Sequence, residues 1–141
     1  MKKLLLLLAL MTYSFSSSIN YEKSLNIVTD ATNKLMWQDD NEVTQYLETF
    51  TTAKVYCDIL VLNGYIDWRV PTIKEIQNIV DVTQKNSIDK NFKFLQPNIY
   101  TTQSEFKDDD SFIWAIDFAS GKTLMVKKTE AHYIRCIRDM K

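Results

Sequence analysis

The hydrophobic and polar positions of this chain change their spacing from one segment to the next, and these changes predict an order of strands and helices. Near the beginning, residues 26–29 and 34–38 have the composition of two short strands. Residues 30–33 between them have turn chemistry, and Asn33 is able to adopt a left-handed conformation. The folded part of the chain is therefore expected to begin with two strands joined by a turn.

A first helix is predicted over residues 53–62. Thr51 or Thr52 is a good N-cap, and the Asn-Gly pair at 63–64 provides a stop signal. Apolar side chains cover most of the circumference of this helix and leave one polar stripe. We therefore expect the helix to be largely buried.

A second helix is predicted to begin at Thr72. Thr72 and Glu75 have the spacing of a capping box, and Pro71 prevents the chain from continuing the preceding element. One face of this helix is apolar, with Ile73, Ile76, Ile79 and Val80.

Strand patterns return in the last third of the chain. Residues 112–118 alternate between two faces, residues 119–122 form a hairpin turn, and residues 123–127 are the return strand. A final strand is predicted over residues 133–138. Two helices in the middle, packed on short antiparallel strands at both ends, indicate an α+β fold.

The N-terminal residues 1–18 have the pattern of a secretory signal peptide. Lys2 and Lys3 precede a short apolar core, and small serine residues follow it. The apolar run is far shorter than the ~20 residues of a membrane-spanning helix, so no stable span is expected after cleavage. A retained N-terminal anchor is the alternative. We expect a flexible mature start at residues 19–25 and one domain at 26–141, in a bacterial protein that is periplasmic or secreted.

The charge of the chain is nearly balanced. The removal of Lys2 and Lys3 with the signal peptide changes the net charge from −1 to −3, which argues against nucleic acid as a partner. A local basic patch remains a hypothesis, and its candidate members form a possible interaction surface for an acidic protein face or an anionic glycan: Lys127, Lys128, Arg135 and Arg138. The alternative is a scatter of solvated charges with one structural arginine.

The chain contains two cysteines, Cys57 and Cys136. Outside the cytosol, such a pair indicates a structural disulfide more readily than a redox or metal site. Two free buried thiols or a two-cysteine metal site are the alternatives. Zinc usually takes four ligands, and His132 is the only histidine. We therefore predict a Cys57–Cys136 disulfide, no cofactor and no metal.

Five motifs follow one another along the chain. They are Leu35-Met36-Trp37-Gln38, Ala53-Lys54-Val55-Tyr56-Cys57, Gly64-Tyr65-Ile66-Asp67-Trp68-Arg69-Val70-Pro71-Thr72 with Glu75, residues 114–121, and Ile134-Arg135-Cys136-Ile137-Arg138. In this order they resemble the DUF1566 family, the C-terminal domain type of the Legionella collagen-like adhesin. The resemblance spans residues 27–138, and the Asp-Trp-Arg-hydrophobic-Pro-Thr core is its most specific part.

This resemblance implies a C-type lectin-like or formylglycine-generating-enzyme-like fold. In such folds a bridge from the first helix to the last strand ties the two termini together, which suits a Cys57–Cys136 pair. Two features depart from the family pattern. The chain has Tyr-Thr-Thr-Gln at 100–103 where the family has Tyr-Trp-Ser-Ser, and it has no collagen-like glycine repeat. The family implies a module rather than one activity.

The Asp-Trp-Arg segment has two interpretations. Asp67, Trp68 and Arg69 could form a polar recognition cluster, since they place a carboxylate, an indole and a guanidinium side by side. The structural interpretation is favoured: Trp68 fills the core between the helices, while Asp67 and Arg69 tie the connection to its neighbours. With Pro71, Thr72 and Glu75 these residues are treated as a structural motif.

Two segments rich in oxygen-bearing side chains are candidate calcium sites. Residues 96–98 resemble a lectin calcium triplet but precede the matching strand, and Glu105 with residues 108–110 lacks a glycine for the sharp turn. Both are interpreted as calcium-free loops, and Asp39, Asp40 and Glu42 are interpreted as solvated charges.

Catalytic motifs are incomplete. His132 has no surrounding motif, Gly-x-Ser-x-Gly is absent, and a copper-dependent oxidase would need two free thiols. We therefore expect a non-enzymatic module that binds another envelope protein. A carbohydrate-binding, lectin-like adhesin module is the alternative.

Overall fold

The computed structural model describes residues 19–22 and 26–141, and the signal peptide predicted over residues 1–18 lies outside the described residues. The strands and helices occur in the order β1 (Ile19–Glu22), β2 (Ile27–Asp30), β3 (Leu35–Gln38), β4 (Leu47–Glu48), α1 (Phe50–Ile59), α2 (Ile73–Gln77), β5 (Ile99–Glu105), β6 (Phe112–Asp117), β7 (Lys122–Lys127), β8 (His132–Tyr133) and β9 (Ile137–Asp139). Short 3-10 helices occur at Asn41–Thr44 and Lys85–Ser87. Two sheets with few helices confirm the α+β class.

The first sheet brings the two ends of the described chain together. Its strand order is β1-β2-β3-β9, and all neighbours are antiparallel. Trp37 in β3 lies opposite Val28 on one side and Ile137 on the other. The predicted proximity of the N- and C-terminal strands is therefore confirmed. Strand β1 falls in the segment 19–25 that was expected to be flexible, and it covers the edge of β2 by backbone pairing.

The turn between β2 and β3 differs in one detail from its prediction. The left-handed residue is Lys34, with φ 55°, rather than Asn33. The Asp30 carboxylate accepts hydrogen bonds from the backbone N–H groups of Thr32 and Asn33 at 3.1 and 3.0 Å. This carboxylate closes the turn over residues 30–33 and leaves the next residue to reverse the chain.

The second sheet has the strand order β4-β8-β5-β6-β7. The predicted hairpin is confirmed in β6 and β7, with Gly121 at φ +76°. A Cβ atom at this glycine would lie only 2.8 Å from the Val82 side chain, so both the backbone conformation and the close approach require glycine.

The single final strand predicted over residues 133–138 was wrong. This segment is divided into β8, which pairs with β4 and β5, and β9, which pairs with β3 in the other sheet. The intervening residues cross between the sheets, where the backbone N–H of Gln38 donates to the carbonyl of Cys136 at 2.9 Å. Residues 134–138 are all buried, because side chains on both faces of the crossing are covered by the two sheets and α1, so the segment reads as one continuous strand in sequence.

Helix α1 begins and ends earlier than predicted. Its N-cap is Thr49, which forms a capping box with Thr52, and Leu60 leaves the helical conformation. The prediction that this helix is largely buried was wrong. Only Phe50, Ala53 and Cys57 are buried, because one face packs against the protein and the opposite face has no covering element among the described residues.

Helix α2 begins as predicted. Thr72 is its N-cap, and the reciprocal hydrogen bonds with Glu75 complete the capping box. Ile76 and Ile79 are fully buried in the main core, which also contains Trp37 and Tyr100. No helix in the part of the chain that the structure describes is long and apolar enough to cross a membrane.

Candidate functional site

The predicted disulfide between Cys57 and Cys136 is confirmed. The two sulfur atoms are 2.04 Å apart, and the bond joins α1 to the segment between β8 and β9 across 79 positions of sequence. Both cysteines are fully buried, in a cluster with Trp68, Val70 and Ile134. The bond therefore fixes α1 to both sheets from the inside.

The Asp-Trp-Arg motif lies directly beside this cluster. Trp68 is buried, and its indole N–H donates to the carbonyl of Tyr65 at 3.1 Å. Asp67 accepts two hydrogen bonds from Arg138, at 2.7 and 3.2 Å. The guanidinium of Arg138 also stacks over the Tyr65 ring at 3.9 Å. These contacts attach the connection between the helices to β9.

Arg69 makes the second attachment. It donates to both carboxylate oxygens of Glu75, at 2.8 and 2.6 Å, and to Asp139 at 2.9 Å. Its backbone exchanges hydrogen bonds with Ile137. Glu75 accepts in addition from the backbone N–H of Thr72, so one carboxylate caps α2 and binds Arg69 together.

Two carboxyl groups of the motif have shifted pKa values. The hydrogen bond from the Arg138 guanidinium holds the pKa of the Asp67 carboxyl well below its usual range. Burial alone would raise the pKa of Glu75, but the hydrogen bonds from Arg69 and from the Thr72 backbone outweigh it and lower the pKa below its usual value of 4.5. A carboxylate whose pKa is lower in the folded state stabilises the fold above the unfolded pKa, and this contribution is lost as the pH falls.

Glu75→Gln is expected to lower the free energy of unfolding by about 1–2 kcal/mol at pH 7, because it removes the charged partner of Arg69 and weakens the helix cap. The difference from the wild type should shrink as the pH falls below 4.5, where the wild-type carboxylate is progressively protonated. Urea denaturation at pH 7 and pH 3 measures both effects. Glu48→Gln in β4 is the matched control. An equal loss of unfolding free energy in both variants at pH 7 would contradict the role of Glu75 as the partner of Arg69 and the cap of α2.

The four basic residues of the predicted interaction surface do not share one surface. Arg135 is fully buried and pairs with the buried Asp39, and Arg138 is nearly buried and pairs with the half-buried Asp67. Lys127 is exposed, whereas Lys128 lies 3.5 Å from Glu105 and faces the Phe50 ring. The strand pattern could not distinguish a basic side chain that points outward from one that pairs internally.

The acidic run after β3 was also misinterpreted. Asp39 is fully buried and forms an ion pair with Arg135 at 3.0 Å, and it accepts from the backbone N–H groups of Lys93 and Phe94. Asp40 caps the 3-10 helix Asn41–Thr44. These charges are structural because Arg135, almost a hundred positions later in sequence, supplies the compensating charge.

The remaining candidates for metal ligands do not come together. Asn98 accepts a hydrogen bond from the next backbone N–H, and the Gln96 amide lies 3.4 Å from the Thr44 carbonyl. Residues 107–110 form an exposed loop. Within the described residues, no group of three or more His, Cys, Asp or Glu side chains is placed to hold a metal ion.

A pocket of about 390 Å³ opens between α1 and the Asp-Trp-Arg motif. Its walls combine charged, polar and apolar side chains, among them Lys54, Val55, Asp58, Trp68, Arg69 and Gln103. Arg69 and Gln103 are already engaged, since Gln103 donates to the carbonyl of Val70 at 2.7 Å. Lys54 and Asp58 lie on the α1 rim of the pocket and have no ion-pair partner among the described residues.

Large apolar side chains are exposed next to this pocket. On α1, Val55 is 55% and Ile59 is 70% exposed, and just beyond the helix Val61 is 65% and Ile66 is 70% exposed. We name these four residues the apolar surface. Leu62 and Tyr65 exchange backbone hydrogen bonds around a turn at residues 63–64, so the register places Val61 opposite Ile66.

Sequence reasoning missed the apolar surface. The residues between 53 and 62 are apolar on nearly every side, and such a pattern is normally typical of a buried helix. The one available signal was that Asn63-Gly64 favours a tight turn as much as a helix stop. That turn exposes the residues on both of its sides.

Comparison with known proteins gives one result on the family. Residues 26–138 match the family model described as the Lcl C-terminal domain. No curated protein matches the chain. The matched range includes both sheets from β2 to β9, the disulfide, the Asp-Trp-Arg motif and the apolar surface.

Proposed function

The chain belongs to the Lcl C-terminal domain family, and from this premise we propose that it is a non-enzymatic, adhesin-like binding domain whose partner is another protein of the cell envelope. The observation that carries the proposal is the apolar surface, in which four valine and isoleucine side chains are at least half exposed. Val55 and Ile59 are neighbours on α1, and Val61 lies opposite Ile66; exposed apolar side chains grouped in this way mark interaction sites in stable proteins.

A location outside the cytosol is part of the proposal. The family and the disulfide fit an extracellular or envelope protein, because structural disulfides persist in oxidising compartments. We place the protein in the periplasm or among the secreted proteins. A bridge from α1 to the C-terminal end of the chain also supports a C-type lectin-like arrangement of the two sheets.

The absence of catalysis is part of the proposal. Both cysteines of the chain are joined in the disulfide, so neither thiol is available as a metal ligand or nucleophile. The charged side chains of the Asp-Trp-Arg motif are already paired, Arg69 with Glu75 of α2 and Asp139 of β9, and Asp67 with Arg138 of β9. Such pairing supports a structural role for the motif next to the binding surface.

A photo-crosslinking side chain at position 66 tests the proposal when the purified protein is mixed with an envelope fraction of the producing cell. We expect one discrete product with an envelope protein, and we expect Ile59→Asp to reduce its yield about tenfold, since central apolar contacts dominate interface energies. The same side chain at Val82, which is also 70% exposed but lies beside the Gly121 turn, is the matched control. Equal products from both positions, or none from position 66, would contradict the proposal.

A second candidate function is carbohydrate binding. The observation that favours it is the pocket of about 390 Å³ beside the Asp-Trp-Arg motif. Lys54 and Asp58 lie on its α1 rim, and neither forms an ion pair within the described residues. A glycan array with and without calcium separates this candidate from protein binding. Binding that Asp58→Ala removes while the cross-linked product at position 66 persists would assign the pocket to a glycan.

A further inference from the structure

The exposed face of α1 contains two parallel rows of side chains. Lys54 and Asp58 form one row and Val55 and Ile59 form the other, since residues four positions apart are neighbours on a helix. All four side chains are exposed. Val55 and Ile59 lie on the side of the helix opposite the buried Ala53 and Cys57, and Lys54 lies over the Phe50 ring at one edge of the face. We name this surface the α1 face. It presents one basic group, one acidic group and two branched apolar groups.

This arrangement is complementary to itself. When two copies of α1 pack antiparallel about a two-fold axis, a residue near one end of the face meets a residue near the other end. Lys54 of one copy then lies beside Asp58 of its partner copy, and the same pair forms a second time by symmetry. On the other row, Val55 meets Ile59 in both directions.

From this geometry we infer that the α1 face binds a second copy of the chain and forms a two-fold symmetric dimer. The inference rests on the proposed function, because it takes part of the apolar surface to be an interface. The residues that it pairs are available, since neither Lys54 nor Asp58 has an ion-pair partner among the described residues. Lys54 only lies over the Phe50 ring, at 4.1 Å.

The scaffold below the face favours this association. Cys57 lies on the opposite side of the same helix and is bonded to Cys136, so α1 is held in place before it meets a partner. A pre-organised surface loses little conformational entropy on binding. The contact involves one helix of ten residues, so we expect a small interface with a dissociation constant in the micromolar to millimolar range.

The partner is a protein rather than a lipid surface. A membrane would bury the Asp58 carboxylate beside the apolar row without a compensating charge, which is unfavourable. A second copy brings Lys54 to that carboxylate. The charge pattern therefore distinguishes the two kinds of occupant.

Sedimentation velocity of the full mature protein over a concentration series tests the inference. We expect a monomer–dimer equilibrium, and we expect Ile59→Asp and Lys54→Glu each to raise the dissociation constant about tenfold or more. The double variant Lys54→Glu/Asp58→Lys restores the symmetric charge pairs, so its dissociation constant should return to within about threefold of the wild type. Lys74→Glu, on the exposed side of α2, is the matched control and should leave dimerisation unchanged.

A sharp thermal transition and an unchanged circular dichroism spectrum show that each variant is folded. A monomer at every concentration, a trimer, or a dimer that Ile59→Asp and Lys54→Glu leave intact would overturn the inference. Failure of the double variant to recover dimerisation would overturn the charge pairing. The cross-linked product at position 66 contains a different protein, so a monomer that still forms this product overturns the dimer and leaves the proposed function standing.

Discussion

Asp39→Asn is expected to lower the free energy of unfolding by about 3–5 kcal/mol, because it leaves the buried guanidinium of Arg135 without its counter-charge. Both side chains are fully buried, and the two charged groups are 3.0 Å apart. Asp39 also accepts hydrogen bonds from the backbone N–H groups of Lys93 and Phe94, at 2.8 and 3.1 Å. An asparagine cannot accept all of these hydrogen bonds with its single carbonyl oxygen.

The surroundings of Arg135 explain why no other group compensates. Its guanidinium lies over the rings of Phe92 and Tyr100, its Nη1 group donates to the carbonyl of Gln38, and its Nη2 group donates to the carbonyl of Phe94. These contacts are made to a planar guanidinium cation. The side chain cannot reach water when its carboxylate partner is removed.

Urea denaturation at neutral pH measures this loss. Asp108→Asn makes the same chemical change on the exposed loop and is the control, for which a change within about 0.5 kcal/mol is expected. If the free energy of unfolding fell no further in Asp39→Asn than in the control, Asp39 and Arg135 would not form the internal ion pair that joins β3 to the crossing between the sheets.

Cys57→Ala/Cys136→Ala is expected to lower the free energy of unfolding by about 4 kcal/mol. The bond closes a loop of 79 positions, and its removal increases the conformational entropy of the unfolded chain. It also leaves two alanines in a tightly packed cluster with Trp68 and Ile134, so the native state is not expected to become more stable in compensation.

Chemical denaturation of the oxidised wild type, the reduced wild type and the double variant tests this expectation. The reduced wild type is the control, since it lacks the bond but keeps both sulfur atoms in the core. Its free energy of unfolding should lie within about 1 kcal/mol of that of the double variant, and the packing of the sulfur atoms accounts for the remaining difference. Equal stability of the oxidised and reduced wild type would show that the bond does not stabilise the fold.

Local signals were sufficient for the elements whose chemistry lies within a few residues. The capping box of α2 needs only Thr72 and Glu75, and the β6–β7 turn needs a glycine at 121. The disulfide prediction required only that two cysteines were present in a chain with a predicted export signal. These features depend on short-range geometry or on simple counting, and each was confirmed.

Features decided by distant partners could not be predicted in the same way. The burial of Asp39 depends on Arg135, and the division of the last predicted strand depends on which sheet each half joins. The exposure of Val55 and Ile59 depends on the absence of a covering element over α1 in the described residues. An apolar pattern alone is the same for a buried helix and for a helix that offers an interface.

The candidate site was predicted only in part. Sequence reasoning interpreted Asp67, Trp68 and Arg69 as a structural motif. In the structure the charges of Asp67 and Arg69 are paired, and Trp68 and Arg69 line the pocket. Sequence reasoning placed the interaction surface at four basic residues, two of which are buried. The apolar surface precedes both regions in the sequence, and Val55, Ile59 and Val61 fall in the helix that was predicted to be largely buried.

The disulfide between α1 and the C-terminal crossing is the central feature of this protein, because this bond fixes the α1 face and is typical of an oxidising compartment. Intact mass spectrometry after alkylation of the unfolded protein, isolated from its producing cell without reductant, measures this connection directly. We predict that no cysteine is alkylated before reduction and that two are alkylated after it. Two alkylated cysteines in the unreduced protein would contradict the rigid scaffold, the proposed location and the argument against thiol chemistry together.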